Sequence, residues 1–198
     1  CRSLRRVIVG GGTGGAVVAI VAGQEGLSTA VIEPLSFLGG IATGGAIHSY
    51  CCGHAAGIQH EIDQRTTEWN GRIGGKVSGF HPEERKLALH EMADAAKVRC
   101  FFGANFVGAA MDGTTIRGVV AEDAEGLFWL EASVVIDGTG DGDVAAAAKH
   151  MRQPAALVRV AAAYAKAYLD EIKAERDLAA ERSELAGLAH VLPHVESL

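Results

Sequence analysis

At 198 residues with 48% hydrophobic content, the chain is long enough to bury one domain core, with room for a small appendage. A net charge of −6 speaks against nucleic acid or an anionic membrane surface as partner, and no apolar run reaches the length of a membrane span. Gly fills 26 of 198 positions, about 13%, near twice the usual share and without a collagen period, so the excess belongs to turns and close backbone approaches.

The sequence opens Cys1-Arg2-Ser3-Leu4-Arg5-Arg6, basic and with no initiator Met or apolar signal core; the expectation is a start inside a longer gene product. Cys51 and Cys52 are adjacent while Cys1 and Cys100 stand alone, which makes no disulfide framework and points to a reducing, cytoplasmic setting. Val7-Ile8-Val9 then reads as a buried strand, Gly10 to Gly15 as a glycine-dense turn, Ala16 to Gln24 as an apolar helix, and Thr29 to Ile32 as a second strand ending at Glu33. Gly10, Gly12 and Gly15 satisfy G-x-G-x-x-G, and Glu33 lies near the offset of a ribose-binding carboxylate. The first Gly permits the turn, the second lets backbone approach a pyrophosphate, and the third lets helix and strand pack. The helix start offers free N–H groups to phosphate. The pattern predicts a dinucleotide site rather than a merely tight β-α turn, with FAD and NAD both open at this point.

Residues 35 to 45 are too glycine-rich for a helix, and read either as backbone lying against a ligand or as a plain connection. Ile58, Ile62 and Trp69 recur at helical spacing, with Asn70-Gly71 as the expected C-cap. After a glycine-rich link from Gly74 to Phe80, His81-Pro82-Glu83-Glu84 reads as a helix start. That helix leads to a strand over Val98 to Phe102, giving β-α-β-α-β and a parallel sheet.

Phe106 to Met111, Thr115 to Glu122 and Leu127 to Glu131 form a β-meander by their turn chemistry, followed by Val134-Val135-Ile136 as a separate, buried parallel strand. The acidic loop Asp137 to Asp143 fails the EF-hand pattern, and Asp143 is expected to cap a helix from Val144 to His150. Beyond Pro154 an Ala-rich, charge-laced stretch reads as a helix or a pair. His48, Cys51, Cys52, His54 and His60 cluster after the glycine loop. Their spacing matches no standard zinc pattern, His48 or His54 is a candidate acid or base, and the favoured reading is ordinary loop and helix-entry residues. Trp69 and Trp129 read as packing residues.

Four stretches in this order, Val9 to Gly15, Glu33 with Phe37 to Thr43, Gly79 to Glu83, and Val134 to Asp143, resemble the FAD-dependent oxidoreductase family of the glutathione-reductase-like flavoprotein fold. The resemblance implies an α/β fold: a Rossmann-like parallel sheet with a three-stranded antiparallel β-meander crossover and a helical C-terminal tail. It implies an FAD-binding domain over residues 5–150 and, over 151–198, the remnant of a larger substrate region. Gly10, Gly12, Thr13, Gly14 and Gly15 would hold the FAD pyrophosphate and Glu33 the adenosine ribose. Gly39 and Gly40 would lie along the ribityl and flavin end, Val107 would meet the adenine through its backbone, and Thr139, Gly140 and Asp141 would close over the cofactor. Pro34 after Glu33, and Gly138 in place of a usual Ala, depart from the family pattern.

The expected function is an FAD-binding oxidoreductase acting on a small-molecule substrate, with no metal. Two alternatives stand beside it: a non-catalytic FAD-binding fragment, completed by a second copy or a missing segment, and an NAD(P)-dependent Rossmann enzyme.

Overall fold

A computed structural model of the protein describes residues 4–49, 56–73 and 79–151. Those up to Lys149 form one compact unit around a six-stranded sheet in the order β3-β2-β1-β6-β5-β4. The strands are β1 (Leu4–Val9), β2 (Thr29–Glu33), β3 (Arg99–Phe102), β4 (Asn105–Asp112), β5 (Thr115–Asp123) and β6 (Gly126–Asp137). The helices are α1 (Thr13–Gln24), α2 (Ile58–Ile73), α3 (Pro82–Ala95) and α4 (Asp143–Met151). β1 lies between β2 and β6, parallel to both, and β3 continues the parallel sheet beyond β2.

The run Val7-Ile8-Val9 is apolar because both faces of this sheet are covered. Successive side chains alternate across it. Val7 and Val9 join Ala30, Ile32, Val119, Ala132 and Val144 in one core, on the side of the meander and α4. Ile8 and Val31 join Ala16, Ile20, Leu38, Ile62, Leu89 and Met92 in the other, under α1, α2 and α3. Ile8 and Ile20 are both fully buried, and each contributes about 2–3 kcal/mol by leaving water.

The meander forms as expected, but its last strand and the stretch Val134 to Ile136 are one element. β6 pairs antiparallel with β5 from Gly126 to Glu131, then parallel with β1 from Ala132 to Asp137. No Gly or Pro stands between Glu131 and Val134, so nothing in the sequence breaks the ladder. Nor is that second half wholly buried. Val134 is 40% exposed, because the pairing with β5 ends at Glu131 and leaves the other edge of β6 uncovered among the described residues.

Two helices separate β2 from β3, as expected. His81 caps α3 as expected, its Nδ1 accepting from the Glu83 amide at 3.2 Å. α2 does not stop at Asn70-Gly71 but runs through to Ile73. Packing against α3 overrides the local stop signal: Trp69 Nε1 donates to Glu91 Oε2 at 3.1 Å, which ties this end of α2 to its neighbour. No helix among the described residues is long and apolar enough to cross a membrane. The helical reading beyond Pro154 lies outside the described residues.

Candidate cofactor site

Three loops converge where β1, β2 and β6 end. The first is the glycine turn. Gly10 takes φ +91°, a conformation L side chains avoid, and its amide donates to Ile32 O at 2.8 Å. A Cβ on Gly10 would come within 2.5 Å of Gly138 O, and one on Gly15 would collide with the Gly10 carbonyl. Packing alone demands glycine at both. Gly12 and Gly14 differ: a Cβ on Gly12 would meet only Gly138 O, at 4.0 Å, and one on Gly14 would meet nothing within 4 Å.

The helix begins three residues earlier than its apolar pattern suggests, at Thr13, inside the glycine motif. Gly12 is its N-cap, no side chain caps it, and its first turn holds no acid. Ala16 N donates to Gly12 O at 3.0 Å as the first intrahelical bond. The amides of Thr13, Gly14 and Gly15 have no intrahelical partner and stand at the positive end of the helix dipole, with open space over Gly14. Such a start suits a phosphate.

The second loop follows β2. Glu33 is 5% exposed, with Oε2 accepting from Gly11 N at 2.7 Å and Oε1 from Leu35 N at 2.8 Å. The carboxylate therefore clasps the glycine turn to the end of β2, and one acceptor position remains on each oxygen. Gly39, at φ +106°, donates its amide to Gly11 O at 2.8 Å, and its carbonyl accepts from Thr13 Oγ1 at 3.3 Å. A Cβ on Gly40 would approach Gly12 Cα to 2.8 Å. Thr43, only 3% exposed, donates from Oγ1 to Leu38 O at 2.9 Å, which fixes the short 3-10 turn Gly40–Ala42. Residues 39 and 40 thus lie directly on the start of α1 rather than in a loose connection.

The third loop follows β6. Gly138 N donates to Val9 O at 2.8 Å, holding the loop against the glycine turn. Here the expected cap is corrected. Asp143 is the first residue of α4, and the capping side chains are Asp137 and Thr139. Asp137 Oδ2 accepts from Ala145 N at 3.0 Å, and its Oδ1 accepts from the Thr139 hydroxyl at 2.7 Å. The Thr139 oxygen in turn accepts from Gly142 N at 3.0 Å and Asp143 N at 3.1 Å. Burial works to raise the Asp137 pKa, but the Thr139 hydroxyl and the amides of Ala145, Thr139 and Val144 outweigh it and hold the carboxyl below its ordinary value. Thr139 is therefore occupied in building α4, while Gly140 and Asp141 are exposed.

Val107 belongs to none of these loops. It sits in β4 at a register shift between Phe106 and Gly108, so it has no partner on β5, and it is 38% exposed. Its strand starts close by, since Ala104 N donates to Glu33 O at 3.2 Å. Of the histidine and cysteine cluster, Cys51, Cys52 and His54 lie outside the described residues. His60 is exposed on α2, and the His48 carbonyl accepts from Phe80 N at 2.8 Å. Sequence reasoning did not give Gly11, Gly138 and Asp137 their parts. An acid closing an apolar strand just before a helix, with Thr two positions on, is the available signal for Asp137.

The fold and this turn define a dinucleotide-binding α/β protein. A family model described as FAD dependent oxidoreductase matches residues 7–153. The chain belongs to the FAD dependent oxidoreductase family, which settles the cofactor as FAD. Its fold is similar to that of Thermovibrio ammonificans THI4, at 16% identity and TM-score 0.54 over 75% of this chain and 62% of that one. It is similar to a geranylgeranyl bacteriochlorophyll reductase-like protein from Thermoplasma acidophilum, at 19% identity and TM-score 0.54 over 74% of this chain and 42% of that one. A triple mutant of the flavin-dependent brominase Bmp2 compares at 16% identity and TM-score 0.54 over 70% of this chain and 39% of that one. At such identities the likeness is one of fold, and the chain spans less than two thirds of each of these proteins. No curated protein matches the sequence.

Proposed function

We propose that the chain holds FAD with its pyrophosphate against Gly10 to Gly15 and the start of α1, and that the flavin exchanges hydride or electrons with a small organic substrate. The observation that carries this reading is the pair Gly12 and Gly14, glycines that the protein's own packing does not require, standing at an uncapped helix start. Bound FAD supplies the redox chemistry, and the residues of the chain bind and orient. The amides of Thr13, Gly14 and Gly15 take phosphate oxygens. Glu33 holds Gly11 and Leu35 and offers its remaining acceptor positions to the ribose hydroxyls. Gly39 and Gly40 keep the following backbone close to Gly12, along the ribityl and flavin end. The unpaired backbone of Val107 meets the adenine, and Thr139, Gly140 and Asp141 border the first turn. The setting is cytoplasmic, in keeping with the absence of a disulfide pattern in the sequence.

A second reading is favoured by the share of the similar structures that the chain spans: an FAD-binding portion that turns over only with a second copy or a further segment completing the site. Anaerobic protein loaded with FAD, mixed with a series of small alcohols, amines and acids, separates the two. Bleaching of the flavin colour by one of them supports the oxidoreductase. Retained FAD that no donor bleaches supports the binding portion, and failure to retain FAD overturns both.

A further inference from the structure

Between α2 and α3 the fold buries a carboxylate that nothing described around it answers. Glu84, in the first turn of α3, is 0% exposed, and neither oxygen has a hydrogen-bond partner among the described residues. The charges nearby are matched to one another. Arg85 Nη1 pairs with Asp63 Oδ1 at 2.9 Å while its guanidinium lies over the Phe80 ring, 4.2 Å from the centroid. Asp63 also accepts from Gln59 at 2.8 Å, and Glu83 takes Lys86 at 2.7 Å. Glu84 is left as the carboxyl group without a partner among the described residues. A first-turn acid gains from the helix dipole, but a buried carboxylate with neither donor nor counter-ion is among the costliest groups a fold carries.

Glu84 borders a cleft of about 440 Å³ from within its wall, together with Ser49, Asp63, Thr66, Thr67 and His81. The threonine protons are already spent on backbone: Thr66 Oγ1 donates to Ile62 O at 2.7 Å and Thr67 Oγ1 to Asp63 O at 2.9 Å. Both hydroxyl oxygens are left as acceptors, like the Glu84 carboxylate. A group that answers such a wall brings positive charge and several N–H donors. Among the described residues no set of three His, Cys, Asp or Glu is placed to hold a metal ion. An ammonium group answers this wall, since its three donors suit one carboxylate and two hydroxyl oxygens.

We propose that this cleft binds the protonated amino group of a small organic amine, with Glu84 as its counter-ion. No residue of the glycine turn lines this cleft, and the proposal does not depend on the flavin reading.

Calorimetric titration of the full chain with n-butylammonium, and with n-butanol as the uncharged analogue, tests it on the natural protein and on Glu84→Gln. Saturable binding of the amine alone is expected, weakened at least about tenfold in E84Q, the ratio that ~1.4 kcal/mol corresponds to. E84Q keeps the size of the side chain and removes its capacity for charge at a position with no described partner to lose, so it is expected to melt no lower than the natural protein, which separates lost binding from lost folding. Four results would overturn the proposal: no saturation by the amine, equal binding by E84Q, equal binding of butanol, or a lower melting temperature for E84Q. A response to magnesium chloride in place of the amine counts against it as well.

Discussion

The Glu33 carboxylate and the Gly11 amide, 22 positions apart in the chain, meet at 2.7 Å in the buried heart of the candidate cofactor site. This bond gives Glu33 a structural duty beside any contact with ribose. Glu33→Ala leaves the Gly11 and Leu35 amides without their acceptor, each a loss of about 1–3 kcal/mol where burial is complete. The expected outcome is a clearly lowered urea midpoint of the flavin-free protein and weaker FAD retention, with Glu33→Gln between the two. An unchanged midpoint in Glu33→Ala would show that the clasp carries no stability.

Gly12 and Gly14 are expected to behave oppositely to Gly10 and Gly15. Gly14→Ala adds a methyl where nothing lies within 4 Å, inside the first turn of α1, and should stabilise the flavin-free protein by about 0.5–1 kcal/mol through helix propensity. The same methyl stands where a pyrophosphate would approach, so FAD affinity should fall. Gly10→Ala puts a side chain at φ +91° against Gly138 and should lower stability with or without cofactor. Thermal melts in the presence and absence of FAD read both effects. A Gly14→Ala protein that binds FAD as well as the natural one would take the phosphate away from this helix start.

Asp137 should give α4 a pH-dependent anchor. Its folded pKa lies below the ordinary value of 3.8, so its contribution is complete above that value and is lost as pH falls through the lower, folded pKa. Asp137→Ala, which removes the cap to Ala145, is expected to cost about 1 kcal/mol at neutral pH. The gap between variant and natural protein should close on acidification below about pH 4. Urea denaturation across pH measures it, and a gap that stays constant into strong acid would contradict the assignment.

Cys100 should be inert in the folded state. Burial, with the Asp94 charge added, pushes its thiol up to about 11, so hardly any thiolate exists near neutrality. Peptide mapping after brief iodoacetamide treatment at neutral pH should find Cys100 unmodified in native protein and modified in urea. Rapid modification of the native protein would show that the strand opens readily.

What the sequence made legible follows from how local each signal is. The G-x-G-x-x-G spacing, the apolar run Val7-Ile8-Val9 and His81-Pro82 at a helix start each act over a few residues, and the folded chain places them as read; Val134-Val135-Ile136 is parallel to β1 as read, but neither a separate strand nor wholly buried. Asn70-Gly71 failed as a stop because Trp69 reaches Glu91 on another helix, a contact no local window contains. The continuity of β6 was hidden for a related reason: its two halves answer to different partners, β5 and then β1. At the site, the turn was legible but its clasp was not. Glu33 reads as a ribose ligand from spacing, whereas its bonds to Gly11 and Leu35 emerge only when β1 and β2 lie side by side. The pairing of Gly40 with Gly12 is likewise a matter of loops meeting, visible only in the fold.

Gly10 to Gly15, Glu33 and the loop at Gly39 and Gly40 form the site proposed for FAD. Equilibrium titration of flavin-stripped protein with FAD, followed by the change in flavin fluorescence and repeated with excess NAD, tests it most directly. Saturable uptake of one FAD per chain is expected, which NAD does not displace and Gly12→Ala weakens. A protein that takes up no FAD, or that releases it to NAD, would contradict it.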